Sequence, residues 1–254
     1  MNAPSHATDP RPLDTRFQPR HALVTGANRG LGLECTRQLA AAGVTVFLCA
    51  RRLVDARNAA ADLGALAGAI HPLALDVLDP DAATKAAAAV AGITGGELDL
   101  LVNNAGIYPD AGREVPRLGP DELEQTLRTN VAGNHRVLLA MSPLLRAAGD
   151  ARVVQVSSRR GSLALRLDAD DRLLDHQGPG YSTSKAALNM LSLAWAAAFD
   201  STGVRLAIVS PGWCRTDMGG DDAELSAEQG ARIILEAVDQ PHGSFTGGGE
   251  PIPW

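Results

Sequence analysis

From residue 21 onward, short apolar runs alternate with longer Ala/Leu-rich stretches of helical period. This alternation restricts the chain to one kind of architecture. Parallel strands need a crossover of a dozen or more residues between them, usually a helix, and the pattern supplies one each time. Strands are expected at 21–25, 45–50, 70–75, 99–102, 152–157, 204–209 and 244–245, and helices at 30–42, 53–64, 80–91, 120–147, 180–200 and 226–239. Several of the runs are apolar throughout, as strands covered on both faces are. A chain of 254 residues fits one large domain better than two small ones. The expected fold is therefore a single α/β doubly wound domain over residues 20–254, with a seven-stranded parallel sheet flanked by helices.

Residues 1–19 are polar and Pro-bearing, lack the apolar core of a signal peptide, and are expected as a flexible tail. Residues 159–178 are charged and Asp-rich, between a strand and a helix; so long an irregular stretch is either a lid over a site or a solvated surface excursion. A net charge of -6 without a Lys/Arg stripe argues against nucleic acid as a partner. Cys35, Cys49 and Cys214 are odd in number and far apart, which fits a reducing cytoplasm and no disulfide framework. The six histidines have no metal-ligand spacing, so no metal is expected. No apolar run is long enough for a membrane span.

Two patterns carry chemistry. The first strand runs into Thr25-Gly26-Ala27-Asn28-Arg29-Gly30-Leu31-Gly32 and then a helix. Glycines there permit a tight turn and close approach of a pyrophosphate, whose charge is favourable at a helix N-terminus. The second expected strand ends at Arg51, where a fold selective for NAD carries an acid for the ribose 2′-hydroxyl; an Arg suits a 2′-phosphate, so NADP(H) is preferred over NAD(H). Arg29 is expected to assist from the turn. The second pattern is Tyr181-Ser182-Thr183-Ser184-Lys185, which holds one of only two tyrosines and one of only two lysines. Residues i and i+4 share a helix face, so phenol and ammonium point into one space. An adjacent ammonium is expected to lower the phenol's ordinary pKa of about 10 and ready it for proton transfer.

The glycine turn, Asn103-Asn104-Ala105-Gly106, Asn130, Ser157-Ser158, the Tyr181–Lys185 run and Pro211-Gly212 occur in the order of the short-chain dehydrogenase/reductase family, which the chain resembles from about residue 20 onward. The segment from Ser210 to Met218 is similar in particular to NADPH-dependent carbonyl reductases. The resemblance implies a Rossmann fold and four catalytic residues: Tyr181 as acid/base, Lys185 as its partner, Ser158 polarising the carbonyl, and Asn130 supporting a water relay. It implies cofactor contacts at Gly26, Asn28, Arg29, Gly30, Leu31, Gly32, Arg51, Asp76, Val77, Asn104, Tyr181, Lys185, Pro211, Gly212 and Thr216. Its family commonly places Ser and Tyr closer than Ser158 and Tyr181 stand here, and the added residues fall in 159–178. Residues 212–226, with Trp213 and Met218 among glycines and acids, are expected as a mobile substrate loop. Helices 120–147 and 180–200 offer a face for a homodimer or homotetramer; a monomer is the other possibility. The implied reaction is NADPH-dependent reduction of a ketone or aldehyde, or the reverse oxidation of an alcohol. A sugar or steroid alcohol dehydrogenase of the same family and a dinucleotide-binding redox sensor without turnover are the alternatives. An intact Ser, Tyr and Lys set counts against the sensor.

Overall fold

Eight strands form one sheet in the order β3-β2-β1-β4-β5-β6-β7-β8 in the computed structural model, which describes residues 15–167 and 177–254. They are β1 (His21–Val24), β2 (Thr45–Ala50), β3 (Ile70–Ala74), β4 (Leu100–Asn103), β5 (Arg152–Val156), β6 (Arg205–Ser210), β7 (Phe245–Gly247) and β8 (Glu250–Pro251). The first seven are parallel and coincide with the expected runs. β8 is an antiparallel addition of two residues, too short to show in an apolar pattern; the chain reverses at Gly248-Gly249 and pairs Gly247 with Glu250. Pro72 is tolerated within β3 because that strand is the sheet edge and pairs only with β2.

Alternating strand residues feed two cores. Ala22, Val24, Val46 and Leu48 pack with α1 (Gly30–Ala41), α2 (Leu53–Leu63) and α8 (Ala227–Glu236). Leu23 and Phe47 point the other way, into α3 (Ala82–Thr94), α5 (Asn134–Ala147) and α7 (Pro179–Phe199). The strand order reverses direction between β1 and β4. In open α/β sheets, ligands bind at the carboxyl ends of the strands flanking such a point.

Three expectations on local structure change. The single helix expected at 120–147 is α4 (Pro120–Leu127), then a π-helical turn at Arg128–Gly133, then α5. Such turns are frequent at functional sites, and Asn130 lies in this one. The expected tail is packed at its end: Phe17 is buried, the Arg152 guanidinium lies 4.5 Å above its ring, and Asp239 accepts from the N–H groups of Arg16 and Phe17. The start of the expected lid is ordered as a 3-10 turn at Arg159–Gly161 and α6 (Leu163–Leu167). The remainder, 168–176, and the tail residues 1–14 lie outside the described residues. Among the described residues no helix is long and apolar enough to cross a membrane.

The π turn is seated by contact. A Cβ on Gly133 would stand 2.7 Å from Cγ2 and 2.9 Å from Cβ of Val77, which follows β3. Gly133→Ala is therefore expected to destabilise the fold by about 1–3 kcal/mol, read as a lower urea midpoint. Val77→Ala in the same background is expected to recover only part of that loss, because it removes Cγ2 and leaves Val77 Cβ at 2.9 Å.

Candidate active site

At the carboxyl end of β1 the chain turns through Gly26 and Gly30, whose φ values of +61° and +54° lie in the left-handed region that favours glycine. Gly32, in the first turn of α1, has no room for a side chain: a Cβ would stand 2.5 Å from the Gly26 carbonyl oxygen and 2.7 Å from Asn104 Nδ2. Asn104, just after β4, donates through Nδ2 to the Thr25 and Gly26 carbonyls. Thr25 Oγ1 accepts in return from the N–H groups of Asn104 and Ala105, each at 2.9 Å. The ends of β1 and β4 are thus fastened at the switch point, with the N-terminus of α1 opening between them. A glycine cradle at a helix N-terminus fits a pyrophosphate.

The other expected cofactor contacts gather along the same edge. Asp76 follows β3 and accepts from Leu78 N at 2.9 Å, which fixes the turn carrying the buried Val77. Arg51 is exposed at the end of β2, while its neighbour Arg52 is engaged by both carboxylate oxygens of Asp55, at 2.8 and 2.6 Å. Asn28 and Leu31 are half-buried in the turn and the first turn of α1. Thr216 stands beside Gly30, its Cγ2 3.4 Å from where a Cβ would lie. Arg29, exposed in the turn, pairs through Nη1 with Asp217 Oδ2 at 2.7 Å, in the loop after β6. That loop leaves β6 through Pro211 and Gly212 and is laced internally. Arg215 N donates to Leu225 O and Leu225 N donates to Trp213 O, the Arg215 guanidinium holds the carbonyls of Ala223 and Glu224, and Trp213 Nε1 donates to Gly219 O. Trp213 and Met218 remain about half exposed at its surface.

Ser158, Tyr181, Lys185 and Asn130 converge beyond the ends of β4 and β5. Ser158 follows β5 and accepts from Arg160 N at 3.2 Å, and its side chain lies by the Tyr181 phenol. Lys185, one turn along α7, is buried; its Nζ donates to the Val156 carbonyl at 2.8 Å and lies 5.5 Å from the centroid of the Tyr181 ring. Asn130 is fully buried, accepts from Ile107 N at 2.8 Å, and donates to Ile107 O and Ser184 Oγ, both at 2.9 Å. Gly106 lies between Asn130 and Lys185: a Cβ there would be 3.3 Å from Asn130 Oδ1 and 3.8 Å from Lys185 Nζ.

The electrostatics correct one expectation. Burial pushes the Tyr181 phenol up to about 12, although part of the residue stays accessible; Ser158 and Arg160 draw it down, while Tyr108 pushes it further up. Burial also lowers the Lys185 ammonium to about 8. In the protein alone, desolvation outweighs the lowering by Ser158 and Arg160, so the phenol is held as an acid and is not poised as a phenolate. Sequence reasoning also missed Tyr108, whose ring stacks on Tyr181 with centroids 4.3 Å apart, and Asp110, fully buried beneath the start of α7. Tyr108 is the only other tyrosine in the chain, and that was its one available signal.

A family model described as short chain dehydrogenase matches residues 20–226. The chain is 33% identical over 224 residues to the short-chain dehydrogenase anuI of Penicillium roqueforti, covering 86% of this chain and 88% of that one. It is 31% identical over 281 residues to the (+)-neomenthol dehydrogenase of Arabidopsis thaliana, covering 88% and 93%. The fold superposes on the NADPH-bound carbonyl reductase from chicken fatty liver with a TM-score of 0.80, at 27% identity, over 94% of this chain and all (100%) of that one. On the carbonyl reductase Sniffer of D. melanogaster the TM-score is 0.81, at 28% identity, over 92% and 99%. The chain belongs to the short-chain dehydrogenase family of NAD(P)-dependent oxidoreductases, and within it is similar to carbonyl reductases.

Proposed function

We propose that the protein is an NADPH-dependent reductase of a ketone or aldehyde, also able to run the reverse oxidation of an alcohol, with Tyr181 as the proton donor. The observation that carries this reading is the placement of Ser158 beside the Tyr181 phenol, where its hydroxyl draws the phenol's pKa down, with Lys185 buried one helical turn away. The glycine cradle would hold the pyrophosphate of the cofactor, and Asp76, Val77, Asn104 and Arg51 its adenosine side. Pro211, Gly212 and Thr216 would flank the nicotinamide. NADPH, when bound, supplies the hydride. Carbonyl reduction builds negative charge on the substrate oxygen, and a preorganised donor facing it lowers that barrier. Ser158 is that donor. Tyr181 passes its proton to the same oxygen, and Lys185 stabilises the phenolate left behind. Asn130, by holding Ile107 and Ser184, keeps the loop after β4 and helix α7 at a fixed separation around Lys185. The NADPH named with the chicken carbonyl reductase supports the cofactor preference, as does Arg51 at the end of β2. The alternatives within the family, sugar or steroid alcohol dehydrogenases, share this chemistry and differ only in the pocket. The protein is read as a cytoplasmic enzyme of small molecules, with no nucleic-acid or membrane partner.

Assayed against quinones, ketones, aldehydes and keto-sugars, Tyr181→Phe is expected to lower kcat by about 10²–10⁴-fold with NADPH affinity retained. Turnover unchanged by this substitution would remove the mechanism. Arg51→Asp is expected to weaken NADPH binding about 10–100-fold, the loss of a charged hydrogen bond to the 2′-phosphate, and to leave NADH nearly unaffected. Equal weakening of the two in a fluorescence titration would discard the phosphate argument. The pH profile follows from the two shifted groups. Tyr181 stays protonated up to about 12, whereas Lys185 is charged only below about 8. Reduction rates (kcat/KM) are therefore expected to hold on the acid side of 8 and to fall above it as the ammonium is lost. A first alkaline limb above pH ~10, the ordinary range of free phenol and ammonium groups, would contradict that assignment.

A further inference from the structure

Neither the glycine cradle nor the Ser158, Tyr181 and Lys185 set accounts for how residues 107–113, after β4, are fastened to α7. Asn130 holds Ile107 by both its N–H and its carbonyl. The Tyr108 ring stacks on Tyr181. The Arg113 carbonyl accepts from Gly178 N at 2.8 Å. Between these points lies Asp110, with no exposed surface. Its Oδ2 accepts from Gly180 N at 2.6 Å and from Tyr181 N at 3.4 Å, and its Oδ1 accepts from Tyr181 N at 3.2 Å.

The first-turn N–H groups of a helix have no partner within the helix, and a side chain just before the helix normally supplies one. Gly178 holds that position in α7 and has no side chain to offer. Asp110, 70 residues earlier, takes its place. The approach depends on Gly180, where a Cβ would stand 3.0 Å from Asp110 Oδ2. A buried carboxylate is costly unless compensated, and here the compensation is two main-chain N–H groups at the positive end of the helix. One of those two belongs to Tyr181.

We propose that Asp110 is a positioning residue for proton transfer: it fixes the main chain of Tyr181 and, through the short segment to Tyr108, the ring stacked on the reactive phenol. The inference rests on the reductase reading above. Without the carboxylate the first turn of α7 is free to shift, and the spacing of the Tyr181 and Ser158 hydroxyls is no longer held. Displacements of this size lower chemistry while leaving the distant cofactor cradle intact.

The test compares Asp110→Ala, Asp110→Asn and Tyr181→Phe with the wild type. It uses the best carbonyl substrate of the wild-type enzyme, with NADPH affinity read separately by fluorescence. Asp110→Ala is expected to lower kcat about 10–100-fold, with KM and the NADPH Kd within about twofold of wild type. Asp110→Asn keeps one acceptor oxygen and the volume, and is expected to lose only about 3–10-fold, a partial rescue relative to Ala. Wild-type kcat in either variant overturns the proposal, as does a fall in NADPH affinity that matches the fall in kcat. If Asp110→Ala does not fold, Asp110→Asn decides on the same two criteria. Turnover that survives Tyr181→Phe is a separate result: it overturns the reductase reading itself.

Discussion

The side-chain amide of Asn130 is the fastening on which the site depends. It is fully buried and binds both main-chain groups of Ile107 and the hydroxyl of Ser184, which itself donates to the Tyr181 carbonyl at 2.7 Å. One residue thereby joins the π turn, the loop after β4 and the helix that carries Tyr181 and Lys185. The network continues backward along the sheet edge. Asn134 donates to the carbonyls of Ala105 and Asn130, Asn103 donates to the Asn134 carbonyl, and Thr25 binds the main chain after β4. Leaving any one of these buried partners unsatisfied costs about 1–3 kcal/mol. The cradle at β1 and the start of α7 that carries Tyr181 are therefore ends of one connected structure.

The same enclosure sets the protonation of the site. Desolvation raises the phenol and lowers the ammonium, so each is drawn toward its neutral form. In this environment the phenol keeps its proton over the ordinary pH range. The Val156 carbonyl retains one donor of Lys185 and fixes its direction. Ser158, at the end of β5, opposes the rise in the phenol.

Much of this organisation is legible in the sequence. All seven parallel strands and the six main helical regions follow from the alternation of apolar runs and helical period, since both periodicities are local properties of the chain. The glycine turn, Asn104, Ser158, Tyr181 and Lys185 are legible because each stands at a fixed distance from a strand or helix end, and the fold carries those ends to one edge of the sheet. β8 was not legible, because two residues carry no pattern. The π turn was not legible either: residues 120–147 have the apolar spacing of one helix, and only the contact of Gly133 with Val77 and the buried bonds of Asn130 distinguish the turn within it.

What tertiary structure alone decided is which groups meet, and in what environment. The spacing of Tyr181 and Lys185 promised a lowered phenol pKa; burial reversed the sign, and burial depends on every neighbour at once. The pairing of Arg29 with Asp217 is set by the folded loop after β6, 188 residues on. Asp110 carries no local signature, since its partners lie 70 and 71 residues away. The sequence by itself determined the doubly wound sheet and the glycine turn that opens α1, because these follow from local period and from position at strand ends. The charge state of the phenol, the capping of its helix and the pairing of the surface arginines came from contacts distant in sequence, which only the closed fold creates.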